Sequence, residues 1–117
     1  MIVDSGTTKH YLCIDSPCKL EIQKRNGLKS TQPVGTKIQA TEECELDMEN
    51  IPKKSRKAHK FTTLAGNSLI SVAQLCDAGF KVTFYHEKVI VTKDSKEIAE
   101  GYRDSKTTLR RMPITTT

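Results

Sequence analysis

The 117-residue sequence predicts a mainly β protein, a small barrel or sandwich with one short helix. Two patterns carry that reading. Short segments of alternating apolar and polar residues recur along the chain, separated by Gly, Pro and Asn turns. One stretch alone, residues 68–79, has apolar residues at helical spacing. Composition adds the character of the core: 36% of residues are hydrophobic, with no Trp, three Phe and three Tyr, so the core must be mainly aliphatic.

Ile2-Val3-Asp4-Ser5-Gly6-Thr7-Thr8 opens the chain. β-branched residues favour a strand, and Ser-Gly stops it in a tight loop, so Asp4 is expected at a strand end. His10-Tyr11-Leu12-Cys13-Ile14 alternates as a second strand, closed by Asp15-Ser16-Pro17. Leu20-Glu21-Ile22-Gln23 is a third, and Asn26-Gly27 after it is a strong hairpin signal. Pro33-Val34-Gly35-Thr36 is a further turn candidate. Val34, Ile38 and Ala40 suggest the next strand, and Cys44, Leu46 and Met48 the one following. Phe61-Thr62-Thr63-Leu64 returns to strand, with Ala65-Gly66-Asn67 as a turn. In the helical stretch, Leu69, Val72, Ala73, Leu75 and Cys76 share a face. Asn67 or Ser68 is expected to cap its start, and Gly79 suits its C′ position. Phe80–Phe84, Val89–Thr92 and Glu97–Tyr102 read as three closing strands, and the chain beyond Asp104 is polar and basic, ending in a frayed Thr115-Thr116-Thr117.

Function classes narrow by elimination. No window approaches the run of about 20 apolar residues that spans a bilayer, so no membrane partner is expected. The N-terminus lacks the basic and apolar regions of a signal peptide. The net charge of +5 is a mild excess, and the basic run Pro52-Lys53-Lys54-Ser55-Arg56-Lys57 has no interleaved aromatics to stack bases. It reads as a solvated loop or short helix, and direct nucleic-acid binding is not expected. Cys13, Cys18, Cys44 and Cys76 are expected as free thiols. His10 with Cys13 and Cys18 lacks a second close ligand pair for zinc, so no metal and no cofactor is expected. His10 and Cys13, three apart on one strand, point to opposite faces and cannot form a thiol–imidazole pair. Gly-x-Ser-x-Gly, His-Glu-x-x-His and phosphate-loop patterns are absent.

What remains is the carboxylate of Asp4 in its loop of small hydroxyl residues. Asp-Ser-Gly on its own is also an ordinary turn, but the arrangement is the one an aspartic protease needs: two such loops face each other, share one proton and activate a water.

Three blocks give the chain a family likeness. Ile2-Val3-Asp4-Ser5-Gly6-Thr7-Thr8-Lys9-His10, then Asn67-Ser68-Leu69-Ile70-Ser71-Val72-Ala73-Gln74-Leu75-Cys76-Asp77-Ala78-Gly79-Phe80, and finally Val82-Thr83-Phe84 with Gly101-Tyr102-Arg103 stand in one order. Together with Ala58-His59-Lys60-Phe61, they resemble the retropepsin-like aspartic protease of copia-type retrotransposon polyproteins. The resemblance implies a small closed β-barrel with one short helix over residues 1–103. It implies that residues 104–117 are a polar tail or the start of a linker toward a pre-integrase region. Asp4 would be one half of a catalytic dyad, supported by Ser5, Gly6, Thr7 and Thr8, with Leu69, Ile70 and Ser71 packed behind the loop. The active form would be a homodimer, its substrate an extended polypeptide, the element's own Gag-Pol polyprotein. A hairpin between about residues 24 and 41 would be the flap closing over it. The setting implied is intracellular: the cytoplasm, or a virus-like particle if the element is active. Only three residues precede Asp4, so the N-terminal strand that such dimers share is expected to be missing, as in a truncated or decayed copy. A non-catalytic, domesticated peptide-binding module of the same fold is the alternative.

Overall fold

The computed structural model describes residues 1–32, 35–64, 68–106 and 109–112. The expected turns at Pro33-Val34 and Ala65-Gly66-Asn67, the Asn67 cap and the frayed end lie outside them.

The chain is mainly β. Its strands are β1 (Ile2–Asp4), β2 (His10–Cys13), β3 (Lys19–Gln23), β4 (Lys29–Thr31), β5 (Lys37–Gln39) and β6 (Glu42–Glu45). A 3₁₀ turn at Lys53–Ser55 and β7 (Lys57–Phe61) follow, then β8 (Leu69–Ser71) and the helix α1 (Val72–Asp77). The last four are β9 (Lys81–Phe84), β10 (Lys88–Lys93), β11 (Lys96–Arg103) and β12 (Arg110–Arg111). Ten of these form one sheet in the order β3-β6-β7-β2-β8-β1-β12-β11-β10-β9, and β4 and β5 form a separate hairpin.

The expected closed barrel is not what this sheet makes. β3 and β9 are its two ends and do not pair with each other among the described residues. Closure requires both edge ladders to be satisfied by one another; here every residue of β3 is exposed. The sheet is mixed, with β1 running parallel to β8 and β2 parallel to β7. Those two parallel pairs bring residues far apart in sequence side by side at the centre of the sheet.

The core is mainly aliphatic, as composition requires, with Phe61 and Phe80 its buried aromatics. Leu12, Leu46, Met48, Ile51, Ile70, Leu75, Val89 and Val91 are fully buried. The stretch expected as a polar tail supplies β12 and the buried Met112, and the Met1 ammonium donates to Met112 O at 2.7 Å. A second cluster, Ile38, Ala40 and Phe61 with Tyr11, Leu28 and Leu64, seats the β4–β5 hairpin.

The helix is shorter than its periodicity predicts. Leu69–Ser71 is a strand, because the parallel ladder with β1 satisfies its backbone and buries Ile70 and Ser71 completely. Ser71 rather than Asn67 or Ser68 is the N-cap, its hydroxyl accepting from Gln74 N. Gly79 does take the C′ role, at φ 91°. Asn26-Gly27 does not close a hairpin, since β3 pairs with β6 and β4 with β5. Gly27 is there for another reason: a Cβ at this position would stand 2.0 Å from Ala40 O. The chain entering the β4–β5 hairpin crosses the chain leaving it at this point.

Candidate functional site: a carboxylate beneath a hairpin

Asp4 ends β1, beside Ser71 at the end of β8. Its Oδ1 accepts from Gly6 N at 2.7 Å, so the loop folds back on its own carboxylate. Gly6 leaves room for this: an added Cβ would come within 3.2 Å of the same oxygen. Ser71 Oγ donates to Thr7 O at 2.7 Å while accepting from Gln74 N at 3.1 Å. One hydroxyl thus fixes the loop after Asp4 and starts the helix.

His10 completes the support. It is wholly buried, and its Nδ1 accepts from Ser71 N at 2.9 Å. The backbone amide can only donate, so the ring proton is on Nε2, which donates to Ser55 O at 2.9 Å. Burial pushes the His10 pKa down to about 4 against the opposing pull of the Ser55 carbonyl, with His59 and Lys9 adding repulsion. The imidazole is therefore a neutral strut at physiological pH. Gln74 braces the same corner: its Nε2 donates to Ser55 O and Lys57 O, and its Oε1 accepts from His10 N. With both ring nitrogens committed, His10 has no lone pair left for a metal, and no cluster of three metal-ligating side chains occurs among the described residues.

The carboxylate opens into a cleft of ≈ 720 Å³. Gly6, Thr7 and Thr8 line it beside Asp4, and Ile2, Tyr11, Ile38, Leu64 and Leu69 make its walls apolar. Asp4 is the one carboxylate among the described lining residues. The β4–β5 hairpin forms its roof through Ser30, Thr31 and Gln32. Tyr11 Oη donates to Ser30 Oγ at 3.2 Å, and the Tyr11 ring packs on Phe61 at 5.0 Å between centroids. Thr7 Oγ1 is buried and has no hydrogen-bond partner.

The predicted residues are not all equivalent. Asp4, Gly6, Thr7 and Thr8 meet in the cleft, whereas Ser5 is exposed and does not line it. Ser71 is bonded to the loop through Thr7 O, Ile70 is buried beside Val3 on β1, and Leu69 lines the cleft itself. In the sequence His10 reads as the end of the Asp-Ser-Gly block, and Gln74 as a helix residue off the apolar face. No local signal marks either, because their partners Ser55, Lys57 and Ser71 lie far away in the chain.

Compared with known proteins, the chain matches no family model, no curated protein and no solved structure.

Proposed function

We propose that this chain is one half of an aspartic endopeptidase of the retropepsin type, acting on an extended polypeptide as a homodimer. The observation that carries the proposal is Asp4, braced by Gly6 N at the floor of a cleft that a two-stranded hairpin roofs. A single carboxylate cannot supply both the acid and the base of peptide hydrolysis. Two copies of the Asp4 loop, brought together about a symmetry axis, would hold two carboxylates sharing one proton. The ionised one takes a proton from water as the water oxygen attacks the scissile carbonyl carbon. The protonated one hydrogen-bonds the carbonyl oxygen, and a proton passes to the departing amide nitrogen as the C–N bond breaks.

The remaining features suit such a substrate. An extended chain would lie between the loop and the hairpin, its backbone pairing with strand edges and its side chains entering the apolar walls. A retrotransposon polyprotein, the substrate implied by the family likeness, fits that description.

The test is cleavage of a polyprotein fragment at about pH 5, where a proton-sharing dyad is competent. The parent chain should cleave, and Asp4→Asn should lose activity by roughly 10³-fold or more, as loss of a reacting group does. Equal cleavage by Asp4→Asn removes Asp4 from the mechanism. The lone carboxylate also favours a second reading, a peptide-binding module without catalysis. Unchanged peptide binding by the parent and Asp4→Asn, with cleavage by neither, would select it.

A further inference from the structure

Cys18 and Cys44 flank the two feet of the roofing hairpin. Cys18 immediately precedes β3, the strand that leads into it, and Cys44 lies in β6, the strand that leaves it. Lys19 faces Glu45 across this antiparallel pair, so Cys18 is the diagonal neighbour of Cys44. Each thiol acts on the titration of the other, Cys44 lowering the Cys18 pKa and Cys18 raising that of Cys44. Cys18 is half-buried and reachable from solvent, while Cys44 is buried.

Two charged groups converge on the pair. Cys18 Sγ donates to Glu21 Oε1 at 3.2 Å. The Lys60 ammonium, itself buried, bonds the same Glu21 oxygen and donates to Ile14 O at 3.2 Å. Register explains why it is there: Lys60 and Ala58 on β7 oppose Glu42 and Cys44 on β6, so Lys60 and Cys44 share one face of the sheet. The charge of the same ammonium opposes the rise of the Cys18 pKa. A cation beside a sulfur favours its thiolate.

We propose that Cys18 and Cys44 form an oxidation site, a dithiol that a hydroperoxide converts to a disulfide tying β3 to β6 beneath the hairpin. This goes beyond the peptidase reading and stands whether or not the cleft is catalytic. In the first step the Cys18 sulfur attacks one peroxide oxygen: an S–O bond forms, the O–O bond breaks, and the thiol proton leaves with the second oxygen as water. In the second, the Cys44 sulfur attacks Cys18: the S–S bond forms, the S–O bond breaks, and the departing hydroxyl takes the Cys44 proton as a second water. Two thiols and one hydrogen peroxide give one disulfide and two waters.

Burial raises the pKa of both thiols above the ordinary thiol value, so the pair rests as a dithiol; at Cys18 the Glu21 hydrogen bond adds to the rise and the Lys60 charge opposes it. Diagonal neighbours in a sheet are about 7–8 Å apart at Cα, and a disulfide needs roughly 4.4–6.8 Å, so the start of β3 must move by about an ångström. This is where the backbone is least regular. The register shifts between Lys19 and Ile22, Leu20 has φ 53°, and β3 is an exposed edge free to adjust.

The experiment treats the full chain with hydrogen peroxide, alkylates the remaining thiols after denaturation, and maps unreduced peptides by mass spectrometry. The expected product is a peptide pair linked through Cys18 and Cys44. It should come with a thermal unfolding midpoint that rises on oxidation and returns with dithiothreitol. Cys18→Ser, at a half-exposed position, should fold normally and show neither the link nor the shift. Lys60→Gln should slow linkage several-fold without abolishing it. If Cys44 stays fully alkylatable while Cys18 or the exposed Cys76 oxidises, or if Cys18 links to Cys13 instead, the proposal is overturned. A linkage rate unchanged in Lys60→Gln removes the role given to Lys60.

Discussion

Burial strips His10 of hydration, and the two hydrogen bonds it makes are those of the neutral ring. Its pKa of about 4 in the fold lies well below the ordinary 6.5. The sign of the pH effect follows: above 6.5 the ring is neutral folded or unfolded, and its full contribution is present. As pH falls from 6.5 toward 4, only the unfolded chain takes up the proton, and stability is lost. The loss should approach about 3 kcal/mol once pH reaches the folded value. Denaturant unfolding across this range should trace that decline, and an NMR titration of the ring should have its midpoint near 4. A midpoint near 6.5 would mean that the ring is hydrated and the strut is absent. The acidic range that suits a proton-sharing dyad is thus also the range in which His10 begins to weaken the loop. Ser71 works at the same corner. Ser71→Ala removes the bond to Thr7 O and the helix cap together, and should cost about 1–2 kcal/mol in unfolding measurements. A change near zero would assign both bonds to water replacement. Asp4 and its loop could be read from the sequence because the motif is local. His10 and Gln74 could not, since their partners are Ser55, Lys57 and Ser71, far away in the chain.

The hairpin depends on a crossing of chains at its base. Gly27 backs onto Ala40, and Gln39 Nε2 donates to Gly27 O at 3.2 Å. Since a Cβ would collide with backbone that cannot rotate away, Gly27→Ala should destabilise the protein by about 1–3 kcal/mol. It should also raise hydrogen exchange at Ala40 N, which donates to Leu28 O at 2.8 Å. Unchanged exchange and stability would show that the crossing yields freely. That a hairpin falls within residues 24–41 was legible in outline, since Gly, Asn and Pro punctuate the stretch. Its pairing was not: Asn26-Gly27 has the composition of a two-residue turn, and the contact with Ala40 decides otherwise. The helix teaches the same point from the opposite side. Leu69, Ile70 and Ser71 fit a helical stripe as well as a strand, and only pairing with β1 chooses between them.

At the scale of the whole molecule, the proposed peptidase chemistry, with one carboxylate per cleft, requires two chains. The cleavage rate per chain should therefore rise with protein concentration and level off as the dimer fills. Adding excess Asp4→Asn to the parent should depress cleavage beyond simple dilution, because mixed dimers carry one reacting Asp. A constant rate per chain down to the lowest measurable concentration would mean that a single chain suffices. What the sequence determined by itself was local and periodic: a mainly β chain, an aliphatic core, a carboxylate in a Ser-Gly loop, and a helix ending at Gly79. Those properties follow from side-chain alternation, turn chemistry and composition, each readable within a few residues. The tertiary structure decided the rest. Among the described residues it left the sheet open between β3 and β9, drew Met112 into the core, buried His10 as a strut and brought the hairpin to the cleft that Asp4 lines. Each of these depends on which strands pair across long separations, and that choice is made by burial and backbone hydrogen bonding summed over the whole chain.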